Sequence, residues 1–384
     1  MAIDHSKADD QEALPASHEP KAALILGVTG IVGNYLANLL SHPDAAGGPW
    51  KVYGLARRPR PSWLSHLPDL EYVQCDLLDR EKTLANLSKL TDVTHIFFVT
   101  WVAEGSEAER IVSNSKLLQN TLDGLIPHAK DLQHIVLQTG GKHYVGPFEF
   151  QGKIQPKEAP FVEDGPRLPC DQFYHAQEDI IFELVKHNPK ISYSIHRPTV
   201  IFGFAAGNLM NMVGTLAVYA VICKHEGMKL VYPGNELSWN YLFDASDGEL
   251  IAEQEIWACV EPKARNQAFN SSNGDVFKWK RLWHLLAERF GLEIPEYSGK
   301  SVSLVDLMHG KEPVWDKIVK ENGLQPVKLA DIGHWWFSDI ILNQPLENVS
   351  SMNKSREFGF LGWRNTEKSF MNVIDEMKKN NLIP

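Results

Sequence analysis

The sequence predicts an α/β fold: a doubly wound parallel sheet of the Rossmann type carrying a smaller, mainly helical C-terminal part. Three observations predict it. From Ala22 to about residue 204, short apolar, β-branched runs alternate with helix-patterned segments, as a parallel sheet with crossover helices requires. The first run ends in a glycine-rich turn that opens directly into a helix. Beyond residue 204 the alternation stops, and longer helices with Trp- and Phe-rich loops take over. The 384-residue chain divides accordingly into a tail over 1–20, a sheet-forming part over 21–204 and a helical part over 205–384. The last should pack on the carboxyl ends of the strands, where open α/β sheets bind ligands.

The elements follow in order. "MAIDHSKADDQEALPASHEPK" is polar and acidic. It lacks the basic start and apolar run of a secretory signal, and reads as a disordered tail. "AALIL" is the first strand, and "IVGNYLANLL" has helical spacing. "KVYGLAR" (51–57) and "LEYVQCD" (70–76) are strands, the second followed by a polar helix. "THIFFVT" (94–100) is β-branched and aromatic, and a long helix through "IVSNSKLLQNTLDGLI" leads to "HIVLQTG" (134–140). "DQFYHAQEDII" (171–181) starts a helix with an exposed tyrosine, and "ISYSIHRPTVIFG" (191–203) is a later strand and loop. "LMNMVGTLAVYAVIC" (209–223) is the most apolar stretch. It is shorter than the roughly 20 residues a membrane span needs, and Asn211 interrupts it, so it reads as a buried helix.

Composition narrows the function. A net charge of −10 argues against a nucleic-acid surface. Cys75, Cys170, Cys223 and Cys259 are far apart, with no CxxC or Cys/His cluster. That pattern fits a reducing, cytoplasmic setting without structural zinc, and the histidines show no metal spacing. There is no GxSxG nucleophile elbow.

Gly27, Gly30 and Gly33 form G-x-x-G-x-x-G between a strand and a helix. Such a turn brings backbone N–H groups and a helix amino terminus to a dinucleotide pyrophosphate. The second strand would end in an acidic residue if the ribose hydroxyls of NAD were to be bound. Here it ends in Arg57 and Arg58, whose guanidinium groups suit the 2′-phosphate of NADP; alone, the pair also reads as a solvated basic turn. Asp76 ends the third strand, where it would meet the adenine, and Thr100 and Gln138 end later strands on the nicotinamide side.

In most short-chain dehydrogenases a lysine follows the catalytic tyrosine by four residues. Tyr174 is followed at that spacing by Glu178. Either the site is inactive, or the lysine comes from elsewhere, or Tyr174 is an ordinary helix tyrosine. "LQTGGKHYVGPFEF" offers Lys142 just past the fifth strand, in the loop where a serine or threonine helper would ordinarily stand.

At this point the chain resembles the progesterone 5β-reductase and iridoid synthase family of plants, an atypical branch of the extended short-chain dehydrogenases. The resemblance rests on "GVTGIVGN", "GGPWKVYGLARR", "YVQCD", "LQTGGKHYVGPFE", "FYHAQEDI", "HRPTVIFGF", "ICKHEG", "NGDVFKWK", "EPVWDKIVKENGL" and "SMNKSREFGFLG". It implies NADPH-dependent 1,4-reduction of activated C=C bonds, in a steroid such as progesterone or in 8-oxogeranial, with Tyr174 and Lys142 at the catalytic positions. The histidine after Tyr174 resembles the iridoid synthases, and "KHYVGPFE" the steroid reductases. The implied cofactor set is Gly27, Thr29, Gly30, Ile31, Val32, Gly33, Arg57, Arg58, Asp76, Leu77, Thr100, Gln138, Tyr174, Pro198, Ile201, Leu209 and Met210. The NADP-binding domain is then 21–204.

An apolar substrate calls for an apolar, aromatic pocket. Trp101, Phe148, Met210 and Phe337 are its candidates beside Lys142 and Tyr174, each also readable as ordinary core. Trp335, Trp336 and Phe337 cannot all face one side of a helix, so at least one should face a cleft or a partner. Two other functions share some of these features: a nucleotide-sugar epimerase or dehydratase, and a non-catalytic NADP sensor. The first normally keeps its tyrosine–lysine pair and needs a polar sugar-diphosphate site; the second has no need of Tyr174 with Lys142. A homodimer is an open possibility.

Overall fold

The computed structural model describes residues 21–103, 105–205 and 210–384. The expected tail over 1–20 and the candidate Leu209 lie outside the described residues. In chain order come β1 (Lys21–Leu26), α1 (Ile31–Leu40), β2 (Trp50–Ala56), β3 (Glu71–Gln74), α2 (Arg80–Leu87), β4 (His95–Phe98), α3 (Glu107–Leu125) and β5 (His134–Gln138). Then follow α4 (Lys142–Val145), α5 (Phe173–His187), β6 (Ser192–Pro198), β7 (Val200–Phe202), α6 (Met212–Glu226), β8 (Ala245–Asp247) and β9 (Gln267–Ser271). Helices dominate the remainder.

Seven parallel strands form one sheet in the order β3-β2-β1-β4-β5-β6-β9. The central strands are apolar on both faces because both faces are covered. Leu24, Leu26, Phe98, Ile135 and Leu137 pack toward Leu117, Leu118 and Leu122 of α3 and Ile181 of α5. Their alternate neighbours Ala23, Ile25, Phe97 and Val136 pack toward Val32 and Leu36 of α1 and Ile251 and Ile256 of the helix Gly248–Val260. Strand order reverses between β1 and β4, which opens a crevice at the strands' carboxyl ends.

Two findings differ from the sequence reading. "ISYSIHRPTVIFG" is broken after Pro198: β6 stays in the main sheet, while β7 leaves it to pair with β8. Pro198 has no N–H to continue the ladder. The last strand of the main sheet, β9, comes from beyond residue 204. Its "QAFNS" is too short and polar to stand out as a strand.

The helical part has its own core around α6, whose residues Met212 to Cys223 are all buried. A helix enclosed on all sides shows no apolar stripe. Asn211, which interrupts the apolar run, is its cap: the side-chain oxygen accepts from Gly214 N at 2.9 Å. Among the described residues no helix is long and apolar enough to cross a membrane.

Candidate active site

The glycine loop is sterically obligatory. Gly27 has φ +101°, and a Cβ there would stand 3.0 Å from the Thr100 side chain. A Cβ at Gly33 would stand 2.1 Å from the Gly27 carbonyl oxygen. The loop therefore lets α1 start hard against β1. The first turn of α1 has no acidic residue, which suits an anion at its amino terminus.

Two adjoining clefts open above this loop. Gly27, Thr29, Arg57, Arg58, Asp76 and Leu77 line one, and both arginines are exposed. Their turn is tied to β3: the Tyr72 hydroxyl donates to Arg58 O at 2.5 Å and Gln74 Nε2 to Arg57 O at 3.3 Å. Asp76 Oδ1 accepts from Leu78 N at 3.0 Å. Gly30, Thr100 and Trp101 line both clefts and join them. The second holds Ile31, Val32, Gln138, Pro198, Ile201 and Met210 with Lys142, Phe148, Tyr174 and Phe337. Gly33 lines neither cleft, and its part is the close packing of helix on loop. The residues fit a dinucleotide: the loop admits a pyrophosphate, and Gln138 Oε1 is buried at the crevice without a protein partner, ready for a polar group such as a carboxamide.

Lys142 opens α4, a short helix, rather than lying in a loop. It is buried, and its Nζ sits among aromatic faces: 4.8 Å from the Phe148 ring, 5.1 Å from Trp101, 5.1 Å from Phe173 and 5.7 Å from Tyr174. Among the described residues no hydrogen bond joins Lys142 to Tyr174. Burial brings the ammonium down to about 8, countered by Glu107. Burial, then Glu107, moves the Tyr174 phenol upward, so it stays protonated.

Glu107 also sets the start of α5. Its Oε1 accepts from Phe173 N at 2.9 Å, a cap that Gln172 does not supply. Arg110 holds the other oxygen at 3.0 Å and Glu149 at 2.6 Å. Sequence reading missed this group, because a capping carboxylate from another helix leaves no local pattern. Trp101 stacks on Phe173 at 5.7 Å with planes 1° apart.

Of the aromatic triplet, Phe337 lines the cleft, Trp335 packs on the helical core and Trp336 is 39% exposed. Also missed were Thr199, Asp244, Gln344 and Asn348, which line a polar stretch of the same cleft. Burial pushes Asp244 up to about 7, although Ser350 N donates to it at 2.7 Å. These residues meet only through the fold, so no spacing could reveal them.

Residues 23–384 match a family described as the PRISE-like Rossmann-fold domain. A 3-oxo-Delta(4,5)-steroid 5-beta-reductase of Arabidopsis thaliana is 52% identical, the alignment covering 100% of this chain and 98% of the relative. An (S)-8-oxocitronellyl enol synthase of Nepeta racemosa is 53% identical over 98% and 97% of the two chains. Another from Camptotheca acuminata is 54% identical over 94% and 93%. Among solved structures, the UDP-glucose 4-epimerase of Bifidobacterium longum in complex with NAD+ and UDP superposes with a TM-score of 0.66, at 13% identity, over 94% of this chain and 99% of that one. The Bordetella bronchiseptica enzyme WbmH in complex with NAD+ gives 0.61 at 15% identity, over 94% and 99%. At such identity the likeness to these two is one of fold.

Proposed function

The chain belongs to the PRISE-like Rossmann-fold family, and from that premise we propose that it is an NADPH-dependent oxidoreductase reducing the C=C bond of α,β-unsaturated carbonyl compounds by 1,4-addition. The observation that carries this reading is the joint placement of Tyr174 and Lys142 in a ring-walled cleft continuous with a nucleotide cleft. The relatives' names add the substrate classes, a 3-oxo-Delta(4,5)-steroid and a monoterpenoid carbonyl. Departures from the epimerase pattern speak against sugar chemistry: Glu178 replaces the helix lysine, and aromatic rings surround the Lys142 ammonium.

Thr100 and Gln138 would hold the nicotinamide, which would supply the hydride. The rest falls to the chain. As the β-carbon is reduced, negative charge gathers on the carbonyl oxygen. The Tyr174 hydroxyl, kept protonated by burial, donates a hydrogen bond to that enolate oxygen. Lys142, still mostly cationic at neutral pH, adds positive potential in surroundings too apolar to screen it. The α-carbon takes the final proton from water, so no relay from tyrosine through lysine to solvent is required. Shape and hydrophobicity select the substrate.

Tyr174→Phe tests the reading. Turnover of a weakly electrophilic ketosteroid should fall about a hundred- to a thousandfold, the usual cost of one oxyanion donor. NADPH affinity should stay nearly constant, and a strongly electrophilic enal should suffer less. Unchanged ketosteroid turnover would remove Tyr174 from the mechanism. The cofactor preference has its own test. Arg57→Ala should weaken NADPH binding about tenfold and leave NADH unaffected, since one charge-assisted contact to the 2′-phosphate is lost. Equal affinities of the unmutated protein for both cofactors, by calorimetric titration, would refute the assignment.

A further inference from the structure

The residue that stands where a lysine is expected has a task of its own. The Glu178 side chain is 3% exposed and closely engaged. Arg167 donates to its Oε2 at 3.0 Å and Arg197 to its Oε1 at 3.5 Å. His143 Nε2 lies 2.9 Å from Oε1, at ion-pair distance but outside hydrogen-bond geometry. Although burial pushes the carboxyl up, His143, Arg197 and Arg167 bring it down to about 2, so it is ionised throughout the working range. Arg197 is itself fixed by the Glu163 carbonyl at 3.1 Å and the Tyr144 hydroxyl at 3.3 Å.

His143 follows Lys142 in α4, and its imidazole lies against the Tyr174 ring, centroids 5.7 Å apart and planes 17° from parallel. The ring of His175, held by Gln172 at 2.9 Å, is 5.1 Å from His143 on another side. At the hydroxyl end, a Cβ on Gly140 would stand 2.9 Å from the Tyr174 oxygen, so only bare backbone fits there. Among the described residues nothing hydrogen-bonds the Tyr174 hydroxyl. Packing must therefore orient the phenol: the Phe173 ring meets it at a tilt, with centroids 4.3 Å apart, and the ring that stacks nearly parallel to it is His143.

We propose that His143, anchored by Glu178, is the positioning residue for Tyr174, replacing the hydrogen-bonding lysine of tyrosine–lysine enzymes with a stacked ring. The clamp joins α4 to α5 beside the phenol. A carboxylate suits this task because it grips an imidazole and two guanidinium groups at once, which a lysine cannot do. The inference rests on the role assigned above to Tyr174.

A double-mutant cycle tests it, reading kcat on a weakly electrophilic enone together with the NADPH dissociation constant. His143→Gln should lower kcat about tenfold, the scale of a sub-ångström misplacement, with NADPH binding unchanged. In a Tyr174→Phe background the same substitution should lower kcat no further. His143→Phe, which restores a flat ring without the Glu178 contact, should recover part of the loss. Should His143→Gln fail to fold, His143→Leu is carried through the same cycle. Equal losses with and without the Tyr174 hydroxyl, or no loss at all, overturn the proposal. Failure of the unmutated protein to reduce any enone would instead overturn the reading beneath it.

Discussion

Glu178→Lys, which writes a lysine four residues after Tyr174, is expected to destroy the folded enzyme instead of converting it into an ordinary tyrosine–lysine reductase. The new ammonium would be buried beside Arg197, whose side chain is 12% exposed, and Arg167. Losing the anion strands a buried guanidinium, and breaking such a pair costs about 3–5 kcal/mol. Introducing a like charge adds to that. Whole domains are stable by only about 5–15 kcal/mol, so little or no folded protein should remain at 37 °C. Thermal unfolding followed by circular dichroism, alongside soluble yield, decides the matter. A well-folded Glu178→Lys protein with the original melting temperature would mean that Glu178 is not the buried anchor described here. Restoring the motif fails because the surroundings of position 178 are built for an anion.

That result bears on what a sequence can show. Gly27 and Gly33 were legible because their requirement is local: a strand must turn into a helix within a few residues. Arg57 and Arg58 were legible because the end of a second strand has a known position relative to that turn. Lys142 and Tyr174 emerged from a missing residue plus a family resemblance, and the structure places both on one cleft. His143 and Glu107 were not legible. One acts through a ring face and the other through a cap on a distant helix, and neither leaves a period or spacing. The same holds for β9, which joins the sheet through register with β6 and not through a strong pattern of its own. Asp244 and Asn348 reach the cleft only after the chain has crossed to a second, two-stranded sheet.

Acid should weaken the sheet through its buried histidines. His95, His134 and His196 stand on the adjacent strands β4, β5 and β6, each at most 2% exposed. His134 contacts the Ser192 hydroxyl at 2.8 Å and the Ser194 hydroxyl at 3.0 Å. His196 contacts Ser194 at 3.0 Å and Gln254 Oε1 at 2.9 Å. Burial, then Lys21 and Arg265, lowers His95 to about 3. Burial lowers His196 to about 4 against the bond to Gln254, and moves His134 well below the usual range. In the unfolded chain each titrates near 6.5. Above that pH neither state holds the proton and nothing is lost. Below it the unfolded chain binds protons that the native state refuses, so stability falls from about pH 6.5 down toward the folded values. At about pH 4.5 the loss is about 2.5 kcal/mol each for His95 and His196. Asp244, raised to about 7 by burial, works the other way and gains native stability as pH falls, and so does the buried Glu255. The net slope of the unmutated protein is therefore a poor test, and the difference between two proteins is a good one. His196→Gln removes one titrating ring and leaves the opposing carboxyls in place. Urea unfolding at about pH 7 and pH 4.5 should show it losing about 2.5 kcal/mol less than the parent between the two conditions. Parallel losses would show that His196 already carries its proton in the native sheet.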